Sequence, residues 1–147
     1  MSEFVRHADV EWAGGLLDGT GTASAGTGAF SLPVTFPSRI ADRGDAKTTP
    51  EELLAASHAV CYAMVLVNTL GKQGGKASRV RVTATVTGEK SDAGLKVVSS
   101  RLTATVEGLA GIDASTLQDL ATGAEKGCPI SNAIRGNVAV SVTATAV

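Results

Sequence analysis

Hydrophobic residues crowd one stretch of this chain, TPEELLAASHAVCYAMVLVNTL, and alternate with polar ones in several others. The crowded stretch predicts a helix from about Pro50 to Leu70. Its start is marked by Thr49, Pro50, Glu51 and Glu52, which read as N-cap, N1, N2 and N3. The Thr49 hydroxyl is placed to accept from the Glu52 amide and the Glu52 carboxylate to reach back, a capping box with proline at N1. Leu53, Leu54, Ala56, Ala59, Val60, Ala63, Val65, Leu66 and Val67 then cover nearly every face. A helix apolar all round is expected to be enclosed by protein. Gly71 is placed to end it.

Alternation marks the strands. In RVRVTATVTGEK, Val80, Val82, Ala84 and Val86 take turns with Arg81, Thr83, Thr85 and Thr87, the period of a half-buried strand. LKVVSSRLTATVEG predicts its partner across a hairpin-like turn at SDAG. A second helix carries Leu117, Leu120, Ala121 and Ala124 as its stripe, with Asp113 or Ser115 as cap. Cys128 and Pro129 open another short helical piece, and NVAVSVTATAV closes the chain as a last strand. Before the long helix, glycine and small polar residues dominate. Short strands are expected there near Val10–Trp12, Gly21–Ala25 and Phe30–Phe36, followed by a polar loop at Ala41–Thr48. The order β-α-ββ-α-β, with strands paired by hairpins, indicates an α+β fold in a single domain over residues 1–147.

Composition sharpens this picture. At 147 residues, 44% hydrophobic and 18% charged, the chain is long and apolar enough for a packed core. Aromatics make up only 3%, so the core must come from aliphatic side chains. A net charge of −1 argues against an electrostatic grip on nucleic acid or an anionic membrane surface. The long helix nearly reaches membrane length, but Glu51, Glu52, His58 and Asn68 lie within it, which favours a buried helix over a spanning one. MSEFVRHADVEW has no apolar core region and no cleavage site, so no signal peptide is expected and the reducing cytoplasm is the expected compartment. Two cysteines in that setting suggest catalytic, redox-sensing or buried thiols over a permanent staple.

Cys61 sits in the apolar helix; Cys128, between Gly127 and Pro129, sits at a turn where a thiol is free to approach. A nucleophilic thiol and a second one that resolves it are what a thiol peroxidase requires. An ordinary thiol is only about 3% ionised at pH 7, and mid-helix burial lowers that further. Bringing the pKa to roughly 6 takes about 3.4 kcal/mol of preferential thiolate stabilisation, which a neighbouring arginine supplies through charge-assisted hydrogen bonds. Arg39, in TFPSRI, is the best local cation, and Glu51 is the carboxylate available to partner it. Each residue also has a plainer reading. Cys61 is then a small core residue, Cys128 a helix cap, Arg39 a solvated loop charge and Glu51 a helix-dipole residue. His58 lies three positions before Cys61 and reads as a half-buried helix residue with one hydrogen bond, in preference to a Cys–His catalytic pair. No CxxC or HxxxH spacing supports a zinc site from Cys61, Cys128, His58 and His7, so neither a metal nor a cofactor is expected.

TTPEELLAASHAVCYAM closely resembles the first cysteine motif of the osmotically inducible protein C family, relatives of the organic hydroperoxide resistance proteins. GIDASTLQDLATGAEKGCPISNAI resembles the second, its GCP form being that of the osmotically inducible branch, and SDAGLKV matches in place between them. The resemblance runs from about Glu11 to Val142. It implies an intertwined α+β homodimer with two long central helices and active sites at the dimer interface. It implies that Cys61 is the peroxidatic cysteine, Cys128 the resolving one, Arg39 the activating arginine and Glu51 the carboxylate that orients it. Tyr62 stands where phenylalanine is common. The implied activity is thiol-dependent reduction of organic hydroperoxides, and more weakly of hydrogen peroxide, in oxidative and osmotic stress defence. The resemblance also implies an external dithiol, of lipoyl type, as reductant. A thiol-based redox sensor or a small-ligand-binding protein without turnover is the alternative.

Overall fold

A computed structural model describes all 147 residues. The chain divides into two compact units, Met1–Leu53 and Leu54–Val147.

The first unit is a three-stranded antiparallel sheet in the order β1 (Ala8–Ala13), β2 (Thr20–Ala25), β3 (Ser31–Val34). Its glycine-rich composition suits short strands and tight turns. Gly21 lies under the Trp12 ring, where any added Cβ would collide with the indole. The third strand is shorter than its sequence suggests. It stops at Val34, because Thr35 turns the chain into a one-turn helix, α1 (Phe36–Arg39). The Thr35 hydroxyl caps that turn by accepting from the Ser38 amide, and Pro37 fits within the first turn, where no amide hydrogen is needed. The Ser38 hydroxyl donates to Asp45, which also binds Lys47. These contacts fasten the following loop to α1.

Helix α2 runs Pro50–Lys72. The Thr49 hydroxyl accepts from the Glu52 amide as expected, but the Glu52 carboxylate accepts from the Thr48 hydroxyl and does not close the capping box. Gly71 falls inside the last turn. The helix stops instead at Gly74, whose φ of 77° is left-handed, and the Gly75 amide donates back to the Leu70 carbonyl.

The second unit is a sheet in the order β4 (Arg79–Ser91), β5 (Gly94–Glu107), β6 (Ala139–Ala146). The β4–β5 hairpin forms at the predicted turn, with Ser91 opposite Gly94. Strand β6, however, lies parallel to β5, with Leu102 opposite Val142. A parallel neighbour requires a crossover, and α3 (Leu117–Lys126) and α4 (Pro129–Ile134) supply it. Gln118 of α3 guards the outer edge of β6: its side chain donates to the Val142 carbonyl and accepts from the Ala144 amide.

The core is built from three stripes: Tyr62, Leu66 and Leu70 of α2, alternate residues Leu102, Ala104 and Val106 of β5, and Leu117, Ala121 and Ala124 of α3. Here the structure departs from the expected enclosure of α2. Only its i, i+4 stripe is buried, from His58 through Leu70. Val60, Met64 and Val67 remain 56%, 69% and 54% exposed. One sheet covers one side of a cylinder, so the other side of α2 is left open. By length and composition α2 also passes for a membrane span, yet the buried stripe packs into a protein core.

Candidate active site

Residue 61 follows the buried stripe of α2 by three positions from His58, and its side chain is half-buried beside the core. Cys128 caps the start of α4 and is 0% exposed. This reverses the exposure expected of the two thiols. The turn at Gly127–Pro129 does not leave Cys128 free, because α4 folds back and carries the sulfur into the core cluster. Cys61 borders the uncovered face of α2 instead, next to Val60 and Met64.

The fold brings both thiols together although 67 positions separate them. Cys61 packs against the core cluster that holds Cys128, and Ile130, in the first turn of α4, is close enough for its amide to act on the Cys61 thiol. Burial pushes the Cys61 thiol above its ordinary pKa; the Ile130 amide works in the opposite direction, and Cys128 adds to the rise. Both cysteines are free thiols. Among residues 54–147 no cation contributes to the Cys61 shift.

His58 is more firmly held than its sequence position suggests. It is 0% exposed and uses both ring nitrogens, Nδ1 with the Ser100 hydroxyl and Nε2 with the Ser131 hydroxyl, each at 2.7 Å. Burial lowers its pKa, against an opposing pull from Glu125. One helical turn on, the Tyr62 hydroxyl donates to the Ala121 carbonyl at 2.9 Å. Burial raises the Tyr62 pKa far above that of an ordinary phenol. Ser100 and Ser131 carry no sequence motif. Only the fold brings them to His58.

Arg39 and Glu51 meet within the first unit. Arg39 Nε lies 3.0 and 3.2 Å from the two Glu51 carboxylate oxygens, and its Nη2 lies 2.7 Å from Oε1. Both are partly shielded, with side chains 30% and 20% exposed. Burial alone would raise the Glu51 pKa, but the Arg39 hydrogen bonds and charge, together with hydrogen bonds from its own backbone and Thr49, outweigh it and hold the carboxyl below its ordinary value. The plain reading of Arg39 as a free loop charge is thus set aside. Arg39 also edges a cleft of about 290 Å³ whose other walls include Val10, Trp12, Leu16, Phe36 and Leu53. The site residues therefore fall into two assembled pairs, a guanidinium–carboxylate pair and a dithiol.

A family model described as OsmC-like protein matches residues 43–143. The chain is 34% identical over 134 residues to the peroxiredoxin OsmC of Escherichia coli (strain K12), covering 90% of this chain and 92% of that protein. It is 27% identical over 123 residues to the organic hydroperoxide resistance protein OhrB of Bacillus subtilis (strain 168), covering 83% and 87%. A solved organic hydroperoxide resistance protein from Elizabethkingia anophelis matches with a TM-score of 0.78 and 26% identity over 99% of both chains. One from Legionella pneumophila matches with a TM-score of 0.76 and 27% identity, again over 99% of both.

Proposed function

The chain belongs to the OsmC-like protein family, and from that premise we propose that it is a two-cysteine, dithiol-dependent peroxidase for organic hydroperoxides. A peroxide-related redox role is common to the relatives' names; the assignment of steps to residues is the proposal. The observation that carries it is the packing of Cys61 against the core cluster that contains Cys128.

In the proposed cycle the Cys61 thiolate attacks the distal oxygen of ROOH. An S–O bond forms, the O–O bond breaks, and the alkoxide takes a proton and leaves as ROH, so that Cys61 becomes a sulfenic acid. Cys128 condenses with it, releasing water and leaving a Cys61–Cys128 disulfide. An external dithiol, of lipoyl type, reduces that disulfide by two exchanges and is itself oxidised to a cyclic disulfide.

Activation of the Cys61 thiolate is assigned to Arg39, which Glu51 orients. The apolar cleft at Arg39 suits an alkyl chain, which favours organic hydroperoxides over hydrogen peroxide. The working form is a homodimer with its active sites at the interface, supported by the uncovered apolar face of α2 beside Cys61. Residues 1–147 act as one OsmC-like domain. The cytoplasm, where thiols stay reduced, is the compartment in which this cycle runs.

Steady-state turnover with cumene hydroperoxide and dihydrolipoamide tests the reading. Cys61→Ser should abolish turnover. Cys128→Ser should leave a sulfenic acid that dimedone traps after one equivalent of peroxide. Persistent turnover in Cys61→Ser removes this cysteine from the mechanism, and one-shot oxidation of the wild type without turnover favours a redox sensor.

A further inference from the structure

The proposed cycle assigns nothing to His58, yet this is the most elaborately held polar side chain in the second unit. Its ring is enclosed, and each nitrogen faces a buried serine. Ser100 belongs to β5 and Ser131 to α4. One imidazole on α2 therefore ties two other elements to the helix that bears Cys61. Ser131 lies three residues after Cys128 and directly follows Ile130, whose amide acts on the Cys61 thiol. Helix α4 has only 6 residues. A segment that short does not hold its place by helix propensity and depends on tertiary contacts.

We propose that His58 is a positioning residue for disulfide closure: through Ser131 it holds the first turn of α4, and with it the Cys128 thiol, against the Cys61 sulfur. The inference rests on the two-cysteine reading and deepens it. In the closing step the Cys128 sulfur attacks the sulfenic sulfur of Cys61. The S–S bond forms, the S–O bond breaks, and the departing hydroxide leaves as water with the Cys128 proton. Both reactants belong to one molecule, so the rate depends on how tightly their approach is maintained. A neutral imidazole fits the task. It has one N–H and one lone pair, which two hydroxyls satisfy when one accepts and the other donates. Burial favours that neutral form. The role is geometric and needs no charged ring.

Ser131→Ala and Ser100→Ala separate this role from general support. Each leaves one ring nitrogen unpaired, so their stability costs are alike, but only the first severs α2 from α4. Single-turnover reactions with one equivalent of cumene hydroperoxide should be followed by peroxide loss, for the first step, and by appearance of the Cys61–Cys128 disulfide, for closure. Peroxide loss should stay within about twofold of wild type in both variants. Closure should slow by about fivefold or more in Ser131→Ala and by less than about twofold in Ser100→Ala, as expected for one hydrogen bond lost at the junction. Dimedone-reactive sulfenic acid should persist longer in Ser131→Ala alone. Equal slowing in both variants, or none in Ser131→Ala, overturns the proposal.

A second pair guards against a misfolded variant. The amide nitrogen of His58→Gln reproduces the reach of Nε2 toward Ser131, whereas that of His58→Asn reproduces Nδ1. Faster closure in His58→Gln than in His58→Asn is expected, and the reverse order overturns the proposal. Failure of the two-cysteine reading looks different: wild-type protein would then consume no peroxide, or would stop at the sulfenic acid and form no Cys61–Cys128 disulfide.

Discussion

Met64→Lys probes the uncovered face of α2. Met64, Val60 and Val67 are 69%, 56% and 54% exposed. Burying one such side chain completely contributes about 2 kcal/mol. Covering the exposed parts of all three then offers about 3–4 kcal/mol per chain, and about 7 kcal/mol for a two-fold dimer in which each chain presents the same patch. Losses of freedom on association offset much of that, so the difference between variants is firmer than the sum. Met64 accounts for about 1.4 kcal/mol per chain and close to 3 kcal/mol per dimer, or roughly 100-fold in Kd. Two lysine ammonium groups facing an apolar interface add to this, so about 100-fold is the lower limit. Sedimentation equilibrium over a range of concentrations reads the Kd, and turnover at the same concentrations reads the site. The wild type should be dimeric at micromolar concentration, and activity in Met64→Lys should fall as its monomer fraction rises. Far-ultraviolet circular dichroism should be unchanged, because Met64 lies outside the core. A wild-type monomer with full activity, or an unaltered Kd in the variant, refutes the reasoning.

Arg39→Ala should move the pH midpoint of Cys61 alkylation up by about a unit or more, since a guanidinium favours the thiolate; an unchanged profile dismisses Arg39 as activator. In native, reduced protein iodoacetamide should modify Cys61 ahead of Cys128, which is fully enclosed; peptide mapping that finds Cys128 first contradicts the packing. His58 should make the fold acid-sensitive. Its folded pKa lies below the unfolded value near 6.5, so on acidification the unfolded chain takes the proton first. Stability from this group is full above that pH, and it falls as the pH drops through it, by at most about 1.4 kcal/mol per pH unit, until the folded pKa is reached. Urea midpoints between pH 7.5 and 5, on the order of the unfolded histidine range, should decline more steeply in wild type than in His58→Gln, and parallel curves exclude the linkage.

Local patterns carried the elements. Thr49 and Pro50 announce the start of α2, alternation announces β4 and β5, and the two cysteine motifs announce the family, because caps, periodicity and motifs depend on neighbours a few residues apart. The joining of Arg39 to Glu51 is only partly legible: taken alone Arg39 reads as a solvated loop charge, and Glu51 becomes its partner only if the guanidinium is shielded, as it is in the fold. The relative exposure of the thiols was not anticipated. Cys128 looks free beside Gly127 and Pro129, and only the return of α4 across the core shows that it is enclosed. Ser100 and Ser131 are ordinary serines until the fold sets them 2.7 Å from one imidazole.

What the chain determines by itself is which residues are helical or extended, and which carry sulfur and charge, since backbone preference and side-chain chemistry are properties of short segments. What only the tertiary structure decides is which faces are covered and which distant groups meet. The parallel pairing of β5 with β6, the open side of α2 and the packing of Cys61 against the cluster that holds Cys128 all follow from how the elements pack. Burial and contact are set by parts of the chain brought together from far apart in sequence, and no window of neighbouring residues contains that information.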